Sequence, residues 1–308
     1  VKRGLARHCT EKAVQRAFFS VQRSYPLGFG SSISGRAACL RAFCRLRFRC
    51  LMYAWGAAGG LFLALFSGVR EYVDPGTAEA FKKAGLAYIL ALSGMHISIC
   101  SGAAAAAGSF LCGKRTVPLF RILAVLLFVW FAGFSPSLLR AVLCCVIMTA
   151  ASLCGVMNLN MLLVLSAAFL CHVCIAPQDC RSAAFLLSYS ALGGILLLSE
   201  SIHRRLSRIF PRPLSLEIAV STAAQTVTAP VTLRLFGAFM PGGIPASAAA
   251  SPLIAVFMYA GMFLTVLSLL LPGFAVPAGT AMNALYTVIK AVVTAFSNVP
   301  CVLMHHIL

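Results

Sequence analysis

The chain has 308 residues, of which 60% are hydrophobic and only 10% charged, with a mean hydropathy of +0.93. A soluble domain carries about 25% charged residues, and in water this composition would expose large apolar patches. A soluble globular protein, a disordered chain and a small disulfide scaffold are therefore excluded, which leaves a multi-spanning membrane protein.

The formal net charge of +18 is unevenly placed. Residues 1–50 hold 11 Lys and Arg against one acid, Glu11. Arg41, Arg45, Arg47 and Arg49 stand just before an apolar stretch. By the positive-inside rule this segment is held in the cytoplasm, where it would also suit anionic headgroups. A nucleic-acid-binding arm is the sharper alternative, but the aromatic interleaving of a stacking platform is not apparent. The segment 1–50 is expected to be a basic, poorly ordered cytoplasmic region, followed by a membrane domain over 51–308. The first long apolar stretch starts near residue 51, too late for a signal peptide.

A helix needs about 20 mostly apolar residues to cross a bilayer. On that measure, spans are predicted at 51–69, 86–112, 117–134, 138–157, 161–176, 183–199, 214–236, 245–271 and 277–297. The fold class is therefore all-α, a polytopic bundle of about nine helices. Barrel strands would alternate in polarity, and these unbroken runs do not. With the N-terminus inside, loops bearing Lys114 and Arg115, and Arg204, Arg205, Arg208 and Arg212, fall on the cytoplasmic side. The loop over 70–83 and the pair Asp179 and Arg181 are near neutral and fall outside. The stretch 237–245 (GAFMPGGIP) is expected to form a re-entrant turn.

Most of the 13 cysteines lie inside apolar runs, where a free thiol behaves as a small hydrophobe. Cys171-His172-Val173-Cys174 has CxxC spacing but no second pair to complete a zinc site, so it reads as packing. No metal, cofactor or disulfide is expected.

Polar groups inside spans are costly and tend to face a bundle interior or a wet path. Three clusters qualify. Ser93 and His96, with Gly94 between them, share a helix face with Cys100. This group admits an interhelical hydrogen bond, a transport role, or a Ser93 nucleophile with His96 as base. The last needs an orienting third group and an oxyanion hole, neither of which the sequence displays. Ser221, Gln225, Thr228 and Thr232 form a second stripe at helical spacing, preceding and following Pro230 closely. It either binds neighbouring helices or lines a wet path. The third cluster is Ser135-Pro136-Ser137-Leu138-Leu139-Arg140, in which Arg140 either snorkels to headgroups or points inward as a cation ready for phosphate. Lys290 and Asn283 are weaker candidates.

Leu86 to Ile97 (LAYILALSGMHI) resembles a signature of the ComEC-type DNA-internalisation competence proteins. Phe134 to Ala141 (FSPSLLRA), Ala184 to Ala191 (AFLLSYSA) and Ala223-Ala224-Gln225 through Pro230, with Phe236-Gly237, resemble three further blocks of that family in the same order. The resemblance covers roughly residues 70–300. It implies an inner-membrane channel component that passes single-stranded DNA into the cytoplasm during natural transformation. His96, Arg140, Ser188, Gln225 and Pro230 carry over. Tyr88 stands where the family commonly has His, and Leu186 where it often has Gln. Family members usually add an OB-like domain and a metallo-β-lactamase-like nuclease domain. Neither is recognisable here, and the pair His305 and His306 does not make a zinc run, so no enzymatic activity or catalytic residue is expected of this chain.

The resulting expectation is a path lined by Ser93, Gly94, His96, Arg140, Ser188, Gln225, Thr228 and Pro230. Arg140 stands at its outer mouth, and Arg204, Arg205, Arg208 and Arg212 receive the emerging strand. Expected partners are single-stranded DNA, membrane lipids, and separate receptor, nuclease and helicase proteins, with a homo-oligomer left open. Two alternatives stand beside this reading. A small-solute secondary transporter would place ion-coupling acids near the midplane, whereas the seven acids lie outside span centres. The other is a truncated, inactive remnant of a longer competence protein.

Overall fold

The computed structural model describes residues 33–90, 94–111, 113, 116–133, 135–156, 159–236 and 242–298. Among these the chain is helical and contains no strand. The helices are α1 (Ile33–Ala54), α2 (Gly56–Ser67), α3 (Pro75–Lys83), α4 (Gly94–Leu111), α5 (Val117–Ala132) and α6 (Pro136–Leu153). They continue as α7 (Met161–Ile175), α8 (Ala183–Leu206), α9 (Arg212–Phe236), α10 (Gly243–Leu270) and α11 (Ala275–Ser297). Short 3-10 turns lie at Pro177–Arg181 and Pro272–Phe274. An all-α membrane bundle is what the hydropathy pattern required. Four helices are long and apolar enough to cross a bilayer unaided: α6, α8, α10 and α11. The apolar helices α5 and α7, with 16 and 15 residues, are shorter.

The boundaries follow local chemistry. Ser135 caps α6 by accepting the Leu138 N–H, and Pro136 supplies the preset φ of a first helical residue. Asn160 caps α7, and Ser182 caps α8, in the same way. Exposed apolar side chains such as Leu119, Leu123, Leu126, Leu163, Leu170 and Leu269 suit a surface solvated by lipid tails.

The predicted span 51–69 is two helices, not one. Gly56 takes φ +63, a left-handed conformation that only glycine adopts cheaply, and the chain reverses there. The ring of Phe48 on α1 then lies 6.0 Å from Phe62 and 5.3 Å from Phe66 on α2, so the two helices fold back on one another. Asn283 of α11 closes the break. Its Nδ2 donates to the Trp55 carbonyl at 2.8 Å, and its Oδ1 accepts the Ala58 N–H at 3.3 Å. Trp55 in turn donates its indole N–H to the Ala275 carbonyl at 3.1 Å. Residues 58–65 of α2 are all buried, and Ala58, Leu61, Phe62, Leu63 and Leu65 belong to the largest core cluster, where Phe62 and Phe257 meet edge to face.

This reversal corrects the expected sidedness. From residue 33 the basic segment is helix α1, and Arg45 donates its Nε to the Phe131 carbonyl at the end of α5 at 2.6 Å. The basic segment and Arg140 had been expected on opposite faces of the membrane. They share one end of the bundle instead, because 51–69 does not cross. The loop at Arg204 to Arg212, expected on the same face as the basic segment, lies at the other end. Arg140 sits near Tyr189, the seventh residue of α8, and Arg204 lies about 22 Å further along that helix. Among the described residues, cations therefore occur at both ends of the bundle. Residues 1–32, the Lys114 and Arg115 loop, 237–241 of the expected re-entrant turn, and His305 and His306 lie outside the described residues.

Candidate functional site

The stretch from Gly85 to Ile97 links the polar clusters. Leu86, Ile89 and Leu90 are buried in the core, which anchors the segment. Tyr88 stays half-exposed, with its hydroxyl in hydrogen-bond reach of Ser247. Arg70 donates its Nε to the Leu90 carbonyl at 3.0 Å. Ser93 lies outside the described residues.

At the start of α4, Gly94 meets Arg140. One terminal guanidinium nitrogen of Arg140 lies 2.7 Å from the point a Cβ on residue 94 would occupy. Glycine is thus the residue that leaves space for the cation. Arg140 is the fifth residue of α6 and is only 8% exposed. Among the described residues no group hydrogen-bonds its Nε, and no carboxylate pairs with it. Two residues along α4, His96 is fully buried. An enclosed guanidinium without a counter-charge is expensive, and such a group is usually either paired or held for a ligand.

The other side of Arg140 faces α8. Tyr189 is close enough to interact with it electrostatically. The Tyr189 hydroxyl lies 3.1 Å from the Ala168 carbonyl and 3.2 Å from His172 Nδ1. His172 Nε2 lies 3.3 Å from Asp179 Oδ2. His172 is fully buried, whereas the Asp179 side chain is 27% exposed. The chain runs from a partly wetted carboxylate through a histidine to a tyrosine beside the arginine. Its donors are linked. With His172 neutral and its Nε2–H on Asp179, Nδ1 accepts from the tyrosine hydroxyl. With His172 doubly protonated, Nδ1–H donates to that hydroxyl, which then donates to Ala168. His172 had been read as packing within the CxxC run, and Asp179 as balanced by Arg181. The overlooked signal is a histidine at the end of an apolar run, seven residues before an aspartate in the turn that Pro177 opens.

A second cluster forms where α9 and α10 cross. The Ser247 hydroxyl donates to Ser221 at 2.7 Å. The Gln225 amide nitrogen lies 3.3 Å from the Cβ position of Gly243, which also faces the Gly85 carbonyl. Of the expected stripe, Ser221 bonds across helices. Thr228 and Thr232 donate to carbonyls four residues back on α9, as do Thr222 and Thr226. These hydroxyl oxygens keep their acceptor capacity while their protons are used locally. Pro230 is exposed on α9, and Ser188 is half-buried on α8. Among the described residues, no hydrogen bond or ion pair joins Ser188, Thr228 or Pro230 to Arg140.

The geometry therefore brings Gly94 and Arg140 together, and Gln225 with the upstream end of the same segment, whereas His96, two residues after Gly94, stands on the opposite face of α4. Asn283 and Lys290 have structural partners. Asn283 closes the α1–α2 break, and Lys290 pairs with Asp74 at 3.1 Å. At the other end Arg205, Arg208 and Arg212 are exposed, while Arg204 pairs with Glu200 at 3.2 Å. Among the described residues no three His, Cys, Asp or Glu side chains gather to hold a metal.

A family profile described as competence protein matches residues 65–306. The chain belongs to the competence protein family. That range contains all four sequence blocks, and the structure sets Arg140 of the second against Gly94 of the first and Gln225 of the fourth near Gly85, just upstream of it. This competence-family membrane protein is also 28% identical, over 192 residues, to ComE operon protein 3 of Bacillus subtilis (strain 168). The matched region is 60% of this chain and 23% of the relative, so the chain spans under a quarter of that protein. No solved structure matches it.

Proposed function

We propose that this chain forms part of the path by which one strand of DNA crosses the cell membrane into the cytoplasm during natural transformation. A strand carries a charge at every phosphate and cannot dissolve in hydrocarbon. It needs fixed donors and cations that replace water, each weak enough to release the next phosphate. The observation that carries the reading is Arg140, enclosed beside Gly94 with no carboxylate partner among the described residues. Its guanidinium offers a phosphate several N–H donors in a fixed fork. Tyr189 flanks that position, and His96, Ser188, Gln225, Thr228 and Pro230 continue the lining in this reading, with hydroxyl oxygens as acceptors for base N–H groups. Exposed Arg205, Arg208 and Arg212, with Arg204, attract the strand at the far end.

The chain contributes no catalysis in this reading. Degradation of the second strand, capture of duplex outside and pulling from inside fall to separate nuclease, receptor and helicase proteins. The chain resides in the inner membrane and acts alone or as a homo-oligomer.

The test is deletion of the gene, scored by entry of labelled DNA into the cytoplasm, with complementation by the wild-type chain, Arg140→Lys and Arg140→Gln. Loss on deletion, rescue by wild type and graded failure from Lys to Gln support the reading. Normal uptake by the deletion strain overturns it. So does full rescue by Arg140→Gln at normal membrane abundance.

A further inference from the structure

A second row of arginine side chains stands on α1, outside the path proposed for DNA. Arg41, Arg45 and Arg49 are spaced four residues apart, so they stand in one row on the helix. Like charges so spaced repel, and among the described residues no carboxylate pairs with any of them. Arg45 is accounted for in part. Its Nε caps the carboxyl end of α5 at Phe131, where helix carbonyls carry partial negative charge. Burial holds its pKa below the ordinary arginine value, and Arg41 and Arg49 add to that. Among the described residues, neither Arg41 nor Arg49 has such a partner.

Beside the row lies a cleft of about 80 Å³, between α1, the end of α2 and the end of α5. Arg45 and Arg49 stand at it, while Phe48, Leu63, Val69 and Phe131 supply apolar wall. Among the described lining residues the one hydroxyl, Ser67, is committed to the Leu63 carbonyl at 2.7 Å. Cations next to an apolar wall fit an amphiphile. A nucleic-acid strand would use the cations and leave the wall unfilled.

We propose that the Arg41, Arg45 and Arg49 row, with the cleft beside it, binds the headgroup phosphate of an anionic phospholipid, whose acyl chain lies along Phe48, Leu63 and Phe131. The lipid supplies the counter-charge that no described carboxylate provides there, and it ties the α1–α2 hairpin to α5. Basic pockets between membrane helices recognise such headgroups through the same pairing. The site does not depend on whether DNA passes by Arg140.

The experiment uses the full chain in nanodiscs of mixed phosphatidylglycerol and phosphatidylcholine. Spin-labelled versions of each lipid report the fraction held at the protein. The wild type is expected to enrich phosphatidylglycerol. Arg41→Gln with Arg49→Gln leaves the Arg45 cap in place and is expected to lower the enrichment by about fivefold per arginine, roughly 25-fold together. Arg41→Lys with Arg49→Lys restores most of it. Equal enrichment in wild type and the Gln pair overturns the proposal, provided circular dichroism shows both folded. Loss of lipid enrichment from the wild type on adding inorganic phosphate also overturns it, because a simple anion site would then suffice. A third overturning result is a Gln pair that keeps its lipid but binds a single-stranded oligonucleotide more weakly.

Discussion

Replacing Gly94 with Ala separates a ligand role for Arg140 from a packing role. Gly94 is not among the glycines with positive φ, so alanine fits its backbone. In a helix, alanine is favoured over glycine by up to about 1 kcal/mol. A purely structural account therefore predicts an equal or more stable chain. The new Cβ, however, would stand 2.7 Å from an Arg140 nitrogen, where ordinary contact begins at 3.4 Å. The guanidinium must retreat by roughly 0.7 Å or swing to another rotamer, which a long flexible side chain does at little cost. A charge-assisted hydrogen bond to phosphate is worth about 1.5–3 kcal/mol, so losing it slows passage about 10- to 150-fold. The assay measures cytoplasmic labelled DNA, normalised to the chain in the membrane fraction. Reduced uptake at normal abundance is expected. Wild-type uptake by Gly94→Ala would refute the reasoning, since the arginine would then tolerate displacement from the place where it is argued to act.

Four further outcomes follow from the packing. Gly60→Ala drives a Cβ into the Tyr72 carbonyl, a backbone atom that cannot step aside, and should cost about 1–3 kcal/mol or more, seen as lower abundance and melting temperature. Asn283→Ala strands the Ala58 N–H and Trp55 carbonyl at about 1–3 kcal/mol, and faster proteolysis near Gly56 would register it. Tyr189→Phe removes the hydroxyl between His172 and Ala168 and is expected to lower uptake less than Arg140→Gln does, with near-normal abundance. The Thr77 hydroxyl, then Lys290, holds the Asp74 carboxyl below the usual aspartate range. A depressed folded value makes this tie fully present above about pH 4 and lost as pH falls through the folded pKa. Hydrogen exchange of α3, corrected for intrinsic rates, should thus be constant from pH 7 to about pH 5; loosening within that window would contradict the assignment.

The helical bundle was legible because lipid-facing helices must be apolar for a full crossing, and α5 through α11 lie close to the predicted spans. The fold-back at Gly56 was not. Hydropathy records side chains, and Trp55-Gly56-Ala57-Ala58-Gly59-Gly60 stays apolar while the backbone turns. The α1 helix was hidden for a related reason. Its arginines were read for charge, although Arg41, Arg45 and Arg49 also have helical spacing. In the site, the sequence blocks pointed to Arg140 and Gly94 separately, but their meeting is tertiary, across 46 positions. The α9 stripe was visible as a face. That its threonines would satisfy their protons on their own helix was a rotamer choice, which spacing does not reveal. Asp179 and His172 stayed unconnected because the turn at Pro177 that folds one onto the other leaves no periodic trace.

The shortness of α2 bears on how the chain is made. Its 12 residues extend about 18 Å, against a hydrocarbon layer of about 30 Å, so insertion machinery has little reason to release it into lipid alone. The amide that closes its first turn belongs to a residue 225 positions later. At roughly 5–20 residues per second, a ribosome needs on the order of 10–45 s to deliver that partner. Throughout that interval the hairpin waits half-assembled. Nascent chains stopped before α11 should therefore be recognised as unfinished and destroyed, whatever the quality of the helices already in place.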